Sequence, residues 1–317
     1  MPIIYLVIPC YNEEKVLPET AKRLTKKLAS MRSAGLADEK SRILFVDDGS
    51  CDSTWSLIEQ FSKGSSCICG IKLAHNRGHQ NALLAGLMTA RKYADCIISM
   101  DADLQDDVEV LDEFVKKYLD GCDIVYGVRN KRDTDTAFKR KTALAFYRLM
   151  EKLGVETVYN HADYRLMSRR ALDALSSYHE VNLFLRGLVP LIGFRSGCVY
   201  YDRHERFAGE SKYPLKKMIS FAIDGITSFS VKPLGLIFLL GSAISFVSLV
   251  GVIWSAIAHC AGGSAAWIIG VWSIWLLGGL LMLCLGVVGV YVGKIYAETK
   301  ARPRYLIEKT VSPPSGK

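Results

Sequence analysis

Asp101 and Asp103 stand one residue apart in Met100-Asp101-Ala102-Asp103-Leu104-Gln105-Asp106, directly after the apolar run Cys96-Ile97-Ile98-Ser99-Met100. The run reads as a buried strand that enters a polar end. Alternation along an extended chain points Asp101 and Asp103 to the same side, so two carboxylates converge at one strand terminus. Such a pair repels itself unless a cation lies between them. Hard oxygen ligands suit Mg²⁺ or Mn²⁺, and both ions keep positions open for substrate phosphates. The plain alternative is a solvated acidic loop that caps the next helix, and Asp106 is assigned to that helix.

Several elements must position this cluster. The spacing predicts strands at 3–9, 43–46 and 68–73, a strand ending at the acidic cluster, and another at 123–126. Helical periodicity falls between them, after residue 16 and at 53–61, 80–92 and 108–119. Strands alternating with helices imply a mostly parallel sheet covered on both faces. In open sheets of this kind, ligands bind beyond the carboxyl ends of the strands. Those ends read Pro9-Cys10-Tyr11-Asn12-Glu13, Asp47-Asp48-Gly49-Ser50, His75-Asn76-Arg77-Gly78 and the acidic cluster, which together make one crevice. Neither G-x-G-x-x-G nor G-x-x-x-x-G-K-[ST] occurs, so a nucleotide here would have its phosphates held by a metal instead of a glycine cradle. Taken alone, Asp-Asp-Gly-Ser is a turn before a helix, with Asp52 or Ser53 as the cap.

The 317-residue chain is half hydrophobic, but unevenly so: from Pro233 to Tyr291 there is no Lys, Arg, Asp or Glu. That block accommodates two spans, 234–258 and 267–291, each beyond the ~20 residues that cross a bilayer. His259-Cys260-Ala261-Gly262-Gly263-Ser264 forms the turn between them. Lys212, Lys216, Lys217 and Lys232 precede the hairpin, and Lys294, Lys300, Arg302 and Arg304 follow it. The positive-inside rule then places both termini in the cytoplasm. Nine scattered cysteines fit a reducing compartment, and Cys67-x-Cys69, without a partner pair, reads as packing. The first residues open straight into a strand, without the basic start of a signal peptide. A net charge of +8 points to anionic lipid or phosphate. No nucleic-acid motif accompanies it, so nucleic acid is excluded as a partner.

In order along the chain, Ile8-Pro9-Cys10-Tyr11-Asn12-Glu13-Glu14, Val46-Asp47-Asp48-Gly49-Ser50-Cys51-Asp52-Ser53-Thr54, His75-Asn76-Arg77-Gly78 and the acidic cluster resemble the successive motifs of family 2 glycosyltransferases, of the GT-A fold. Asp163-Tyr164-Arg165-Leu166-Met167-Ser168-Arg169 and Ala208-Gly209-Glu210-Ser211-Lys212-Tyr213, followed by two apolar spans, resemble the polyprenyl-phosphate branch, which includes bactoprenol glucosyltransferases and dolichyl-phosphate mannose synthases. The likeness runs from about Ile3 to Tyr291. It implies that Asp47 and Asp48 read base and ribose, with Pro9, Tyr11 and Glu13 lining the pocket. It also implies that Asp101, Asp103 and Gln105 hold Mg²⁺ or Mn²⁺ against the donor diphosphate, with Arg77 either assisting or making a surface ion pair, while Arg206 and Lys212 belong to a loop that closes over it. Asp163 takes the position of a base near the acceptor, or else orients Arg165 or a sugar hydroxyl. A lipid-phosphate acceptor needs cations, and by motif position these are Arg129 and Arg132, with Lys139 to Lys141 meeting either the acceptor or the lipid surface.

The expected architecture is therefore an α/β GT-A, Rossmann-like, mostly parallel sheet with helices on both faces over 1–213. An amphipathic interfacial helix at 214–232 follows, then a two-helix transmembrane hairpin over 233–293 and a cytoplasmic tail over 294–317. A second interfacial helix fits 142–153. The expected activity is metal-dependent, inverting transfer of one sugar from a nucleotide diphosphate, UDP favoured, to polyprenyl phosphate at the cytoplasmic face of the cell membrane. The rivals are a nucleotide-sugar-binding scaffold or transport component and a processive polysaccharide synthase. Two spans are few for a conduit, and no Gln-x-x-Arg-Trp segment is present. Gly278-Gly279 and Gly286-x-x-Gly289 would let helices approach closely in a homo-oligomer.

Overall fold

The structure is a computed structural model that describes residues 1–130, 161–181, 183–202 and 266–312, together with scattered positions between 234 and 250. Arg132, Lys139 to Lys141, Arg206 and Lys212, both expected interfacial helices and the hairpin turn lie outside the described residues.

The chain alternates β1 (Ile4–Cys10), α1 (Leu17–Ser33), β2 (Arg42–Asp47), α2 (Thr54–Gly64), β3 (Ile68–Leu73), α3 (His79–Ala90), β4 (Cys96–Ser99), α4 (Leu111–Leu119) and β5 (Ile124–Arg129). Next come β6 (His161–Ser168), α5 (Arg169–Ser176), α6 (Leu185–Leu191), β7 (Ser196–Tyr201), α7 (Ala266–Lys300) and β8 (Ile307–Val311). One sheet gathers all eight strands in the order β7-β5-β6-β4-β1-β2-β3-β8. β1 is parallel to both β2 and β4, β2 to β3, and β5 to β7, as the βα alternation predicts. The order reverses at β1, and ligand crevices of open sheets form at such a switch point.

Period-2 patterning covers both faces. Ile4, Leu6, Ile8, Ile43 and Phe45 enter one core beneath α1, α2 and α4, whereas Val7, Leu44, Val46 and Ile97 enter a second beneath α3, α5 and α6. In α1, Leu17, Ala21, Leu24, Leu28 and Met31 recur at helical spacing and are buried, with Pro18 in the first turn. α3 packs so closely on the sheet that a Cβ at Gly86 would stand 2.4 Å from Val7 Cγ1 and 2.7 Å from Val46 Cγ2. Cys67 and Cys69 fall in opposite cores, which fits packing.

Two strands depart from the simple pattern. β6 inserts antiparallel between β4 and β5, and β8 adds antiparallel to β3. Residues 307–311, expected within a tail, are thus part of the eight-stranded sheet. The descent from α7 is fastened at several points: Glu298 Oε2 accepts from Val181 N at 2.8 Å, Arg304 Nη2 donates to the Tyr178 carbonyl at 3.0 Å, and Leu306 O accepts from Ala74 N at 2.9 Å.

Among the described residues one segment, Leu280–Lys300, is long and apolar enough to cross a membrane, and none of its apolar window is buried by protein. It belongs to α7, which presents Ile274, Met282 and Leu285 outward. Described positions between 234 and 250 are helical, but they do not establish a second span or the hairpin.

Candidate active site

The crevice is assembled from loops that hold one another. After β1, Asn12 adopts φ 54°, its N–H donates to Ser50 Oγ at 3.0 Å, and its Oδ1 accepts from Cys51 N at 2.9 Å. Glu13 N donates to Thr54 Oγ1 at 2.9 Å, and Glu14 N to Asp52 Oδ2 at 3.2 Å. Of the two candidate caps of α2, Asp52 carries the bonding: its Oδ1 accepts from Thr54 N at 3.0 Å, while Ser53 makes no side-chain cap bond. Pro9 is buried here, Glu13 is half-buried, and Tyr11 faces solvent.

Asp47 and Asp48 divide their work. Asp48 is 3 % exposed and accepts from the backbone N–H groups of Arg77 and Gly78 at 2.7 and 2.9 Å, holding the turn that opens α3. That turn passes so near that a Cβ on Gly49, at φ 67°, would lie 2.7 Å from Asn76 N and the His75 carbonyl carbon. Asp47 is fully buried; Oδ1 accepts from Ser50 N at 3.1 Å and Oδ2 has no hydrogen-bond partner among the described residues. Burial pushes the Asp47 carboxyl above its ordinary range, against the lowering effect of the Ser50 bonds. Arg77 enters this arrangement through its backbone, and the residue itself is exposed.

Beyond β4 the alternation holds. Met100, Ala102 and Leu104 are buried, while Asp101, Asp103 and Gln105 are half-buried on the other side. The turn is fixed by Thr20 Oγ1 donating to the Ala102 carbonyl at 2.8 Å and by Gln105 N donating to Asp103 Oδ1 at 3.2 Å, with Leu104 at φ 58°. Asp106 differs from expectation. It is 2 % exposed and does not serve α4, which begins only at Leu111. Instead its Oδ1 accepts from Tyr201 Oη at 2.5 Å and stands 3.5 Å from Arg129 Nη2. Asp107 takes the local role, accepting from Glu109 N at 2.9 Å. Arg129, expected at the acceptor phosphate, also donates from Nε to Tyr201 Oη at 3.3 Å.

On β6, Asp163 lies beside the cluster, its main-chain carbonyl accepting from Ser99 Oγ at 2.7 Å. Two residues that sequence reasoning missed meet its carboxylate. Arg186 of α6 forks onto it, Nε to Oδ1 at 3.2 Å and Nη2 to Oδ2 at 3.0 Å. His79 Nε2, at the start of α3, stands 3.6 Å from Asp163 Oδ2 and 3.7 Å from Asp101 Oδ1. Burial alone would raise the Asp163 carboxyl, but Arg186 and His79 hold it well below the ordinary range. A carboxylate so stabilised is a weak base and a fixed negative charge. Burial tends to lower His79, yet Asp163 and Asp101 raise it to about 9. His79 could have been suspected from its place directly after His75-Asn76-Arg77-Gly78; Arg186 sits in Leu185-Arg186-Gly187, which carries no motif signal.

The donor set fits a divalent cation. Burial raises the Asp101 carboxyl, and the neighbouring charges of Asp163 and Asp103 raise it further, only partly offset by His79. Asp106 Oδ2 is buried without a hydrogen-bond partner among the described residues. Crowded, repelling carboxylates are stabilised by a hard cation. No three His, Cys, Asp or Glu side chains among the described residues form a ready-made cage, so an ion held by Asp101 and Asp103 would keep positions open for a ligand.

Residues 5–176 match the glycosyl transferase family 2 profile. The uncharacterized glycosyltransferase YkoT of Bacillus subtilis (strain 168) is 54% identical over 308 residues, covering 97% of this chain and 91% of the relative. A prophage bactoprenol glucosyl transferase homolog of Escherichia coli (strain K12) is 35% identical over 309 residues, covering 96% and 98%. Among solved structures, mannosyltransferase PcManGT from Pyrobaculum calidifontis, in complex with GDP-Man and Mn²⁺, is 16% identical with a TM-score of 0.45, covering 94% of this chain and 86% of that one. With a profile match over more than half its length and full-length relatives at these identities, the chain belongs to glycosyl transferase family 2 and is a glycosyltransferase.

Proposed function

We propose that the protein transfers one sugar from a nucleoside diphosphate donor, UDP-glucose or a related UDP-sugar, to polyprenyl phosphate at the cytoplasmic face of the cell membrane. The observation that carries this reading is the 35% identity to a bactoprenol glucosyl transferase homolog, which spans 96% of this chain and therefore its apolar block as well as its catalytic sheet. The outward apolar surface of α7 supports a membrane anchor, and the two uncharged spans support a hairpin with both termini cytoplasmic.

In this reading Asp101 and Asp103, with Gln105, hold Mg²⁺ or Mn²⁺. When bound, the ion supplies Lewis-acid stabilisation of the departing nucleoside diphosphate. The base and ribose lie against Pro9, Tyr11, Glu13 and the Asp47 turn, whose position Asp48 secures through the backbone of Arg77 and Gly78. Arg206 and Lys212 meet the diphosphate, and Arg129 and Arg132 meet the acceptor phosphate. That phosphate is anionic at neutral pH and attacks the anomeric carbon without needing a strong base, with inversion. Asp163 then works as a fixed charge that orients its neighbours and the sugar, which suits its depressed carboxyl.

Membranes carrying the overexpressed protein, incubated with radiolabelled UDP-sugars, test this. Label should pass into the organic-extractable lipid, and chelation of divalent ions should stop it. Label that enters only aqueous or polymeric material would overturn the acceptor assignment.

A further inference from the structure

Arg186 is placed by the core. Leu185, Leu188 and Val189 on the same helix are buried, and Leu185 N donates to Gln80 Oε1 at 3.0 Å, which ties α6 to the first turn of α3 beside His79. From there the guanidinium meets both oxygens of a carboxylate whose side chain is only 8 % exposed. A two-point fork fixes the plane of a carboxylate as well as its distance. Arg165, two residues along β6, adds a third cation with Nη2 3.7 Å from Asp163 Oδ1, yet its geometry gives no hydrogen bond. Orientation of Asp163 therefore falls to Arg186, and the oxygen that Arg186 Nη2 grips is the one that faces His79.

We propose that Arg186 is a positioning residue of the transfer reaction: it locks the Asp163 carboxylate and, through it, the His79 imidazole beside Asp101. The proposal rests on the reading that transfer occurs in the crevice beyond the end of β4, beside the start of β6. Without the fork, Asp163 rotates about its side-chain torsions and His79 loses one of its two anionic neighbours. The pocket built from the β1 and β2 loops is held by bonds of its own, Asn12 to Ser50 and Asp48 to the backbone of Arg77 and Gly78. Loss of Arg186 should thus slow the reaction and leave donor affinity in place.

The test uses full-length protein in detergent: wild type, Arg186→Ala, Arg186→Lys, Asp163→Asn and the Arg186→Ala/Asp163→Asn double variant. Single-turnover rates and steady-state kcat and KM with labelled donor are read with undecaprenyl phosphate as acceptor and again as donor hydrolysis by water. Arg186→Ala should lower the rate about 10²-fold, the cost of misplacing a group by an ångström, with donor KM unchanged. Arg186→Lys, able to meet one oxygen, should fall between, and added guanidinium should restore part of the Arg186→Ala rate. In the Asp163→Asn background Arg186→Ala should cost nothing further. Losses that multiply across the two sites, or a raised donor or acceptor KM with kcat retained, would overturn the proposal, because Arg186 would then touch substrate itself. Should Arg186→Ala fail to fold, Arg186→Lys against Asp163→Asn carries the same cycle. If the wild type makes no lipid product but hydrolyses donor, the acceptor assignment has failed, and the hydrolysis cycle still decides the role of Arg186.

Discussion

Asp101, just beyond the end of β4, and Asp163, on neighbouring β6, have His79 between them, 3.7 and 3.6 Å away. Their carboxyls are driven apart: Asp101 upward by burial and by Asp163 and Asp103, Asp163 downward by Arg186 and His79. Such opposition suits the cation-holding role proposed for Asp101 and the fixed counter-charge proposed for Asp163. Asp101→Asn and Asp103→Asn should each reduce transfer by at least about 10²-fold, as expected when several kcal/mol of charge stabilisation is lost, with an unchanged melting temperature. Full activity with the wild-type metal requirement would remove both from the ion. His79 gives a pH prediction for the metal-free protein. Its folded pKa, about 9, is above the unfolded value of about 6.5. The stabilisation it brings is therefore complete below pH 6.5 and is lost as pH rises through 9. Histidine NMR titration of wild type against His79→Gln checks this; a His79 midpoint near the ordinary value would contradict the clamp between the two aspartates.

At the scale of elements, the strand ends deliver the chemistry and the helices press them together. Gly86 sets how near α3 lies to β1 and β2, and Gly49 sets how near the β3–α3 turn lies to the Asp-Asp-Gly-Ser turn. Gly86→Val should destabilise by about 1–3 kcal/mol through overpacking, read as a lowered melting temperature. Gly49→Ala should release the Arg77 and Gly78 bonds to Asp48 and weaken donor binding more than it lowers the melting temperature; unchanged donor affinity would contradict that coupling. The parallel strands were legible because they are apolar runs with turn-forming ends, and alternation placed Asp101 and Asp103 together before any fold was known. β6 was not legible as a strand: Asp163 and Arg165 interrupt its apolar pattern, Asp163 being buried against Arg186 of α6 and His79 of α3, and Arg165 over the Tyr126 ring of β5. β8 carries three consecutive polar residues, Glu308 to Thr310, at an exposed sheet edge, a composition shared with an ordinary tail. Asp106 was read as a helix residue because its real partners, Arg129 and Tyr201, are remote in sequence.

For the whole molecule, the end of α7 is bolted to the sheet through β8 and Leu306, and through Arg304 and Glu298 to the segment between α5 and α6. The C-terminal end of the apolar helix is therefore fastened to the body that carries the crevice. Truncation after Arg302 should leave the protein in the membrane fraction but lower its melting temperature and its transfer rate, because the β3 edge and the turn after Ala74 lose their partners. Unchanged stability and rate would show that β8 is dispensable. The central claim, sugar transfer to a lipid phosphate at a divalent-cation site, is tested most directly by mass spectrometry of the lipid product. Purified protein is incubated with undecaprenyl phosphate, Mg²⁺ or Mn²⁺ and a panel of nucleotide sugars. A lipid heavier by one sugar residue, formed only with the ion present and absent for Asp101→Asn, is the predicted result; no lipid adduct from any donor, or undiminished product with Asp101→Asn, would contradict it.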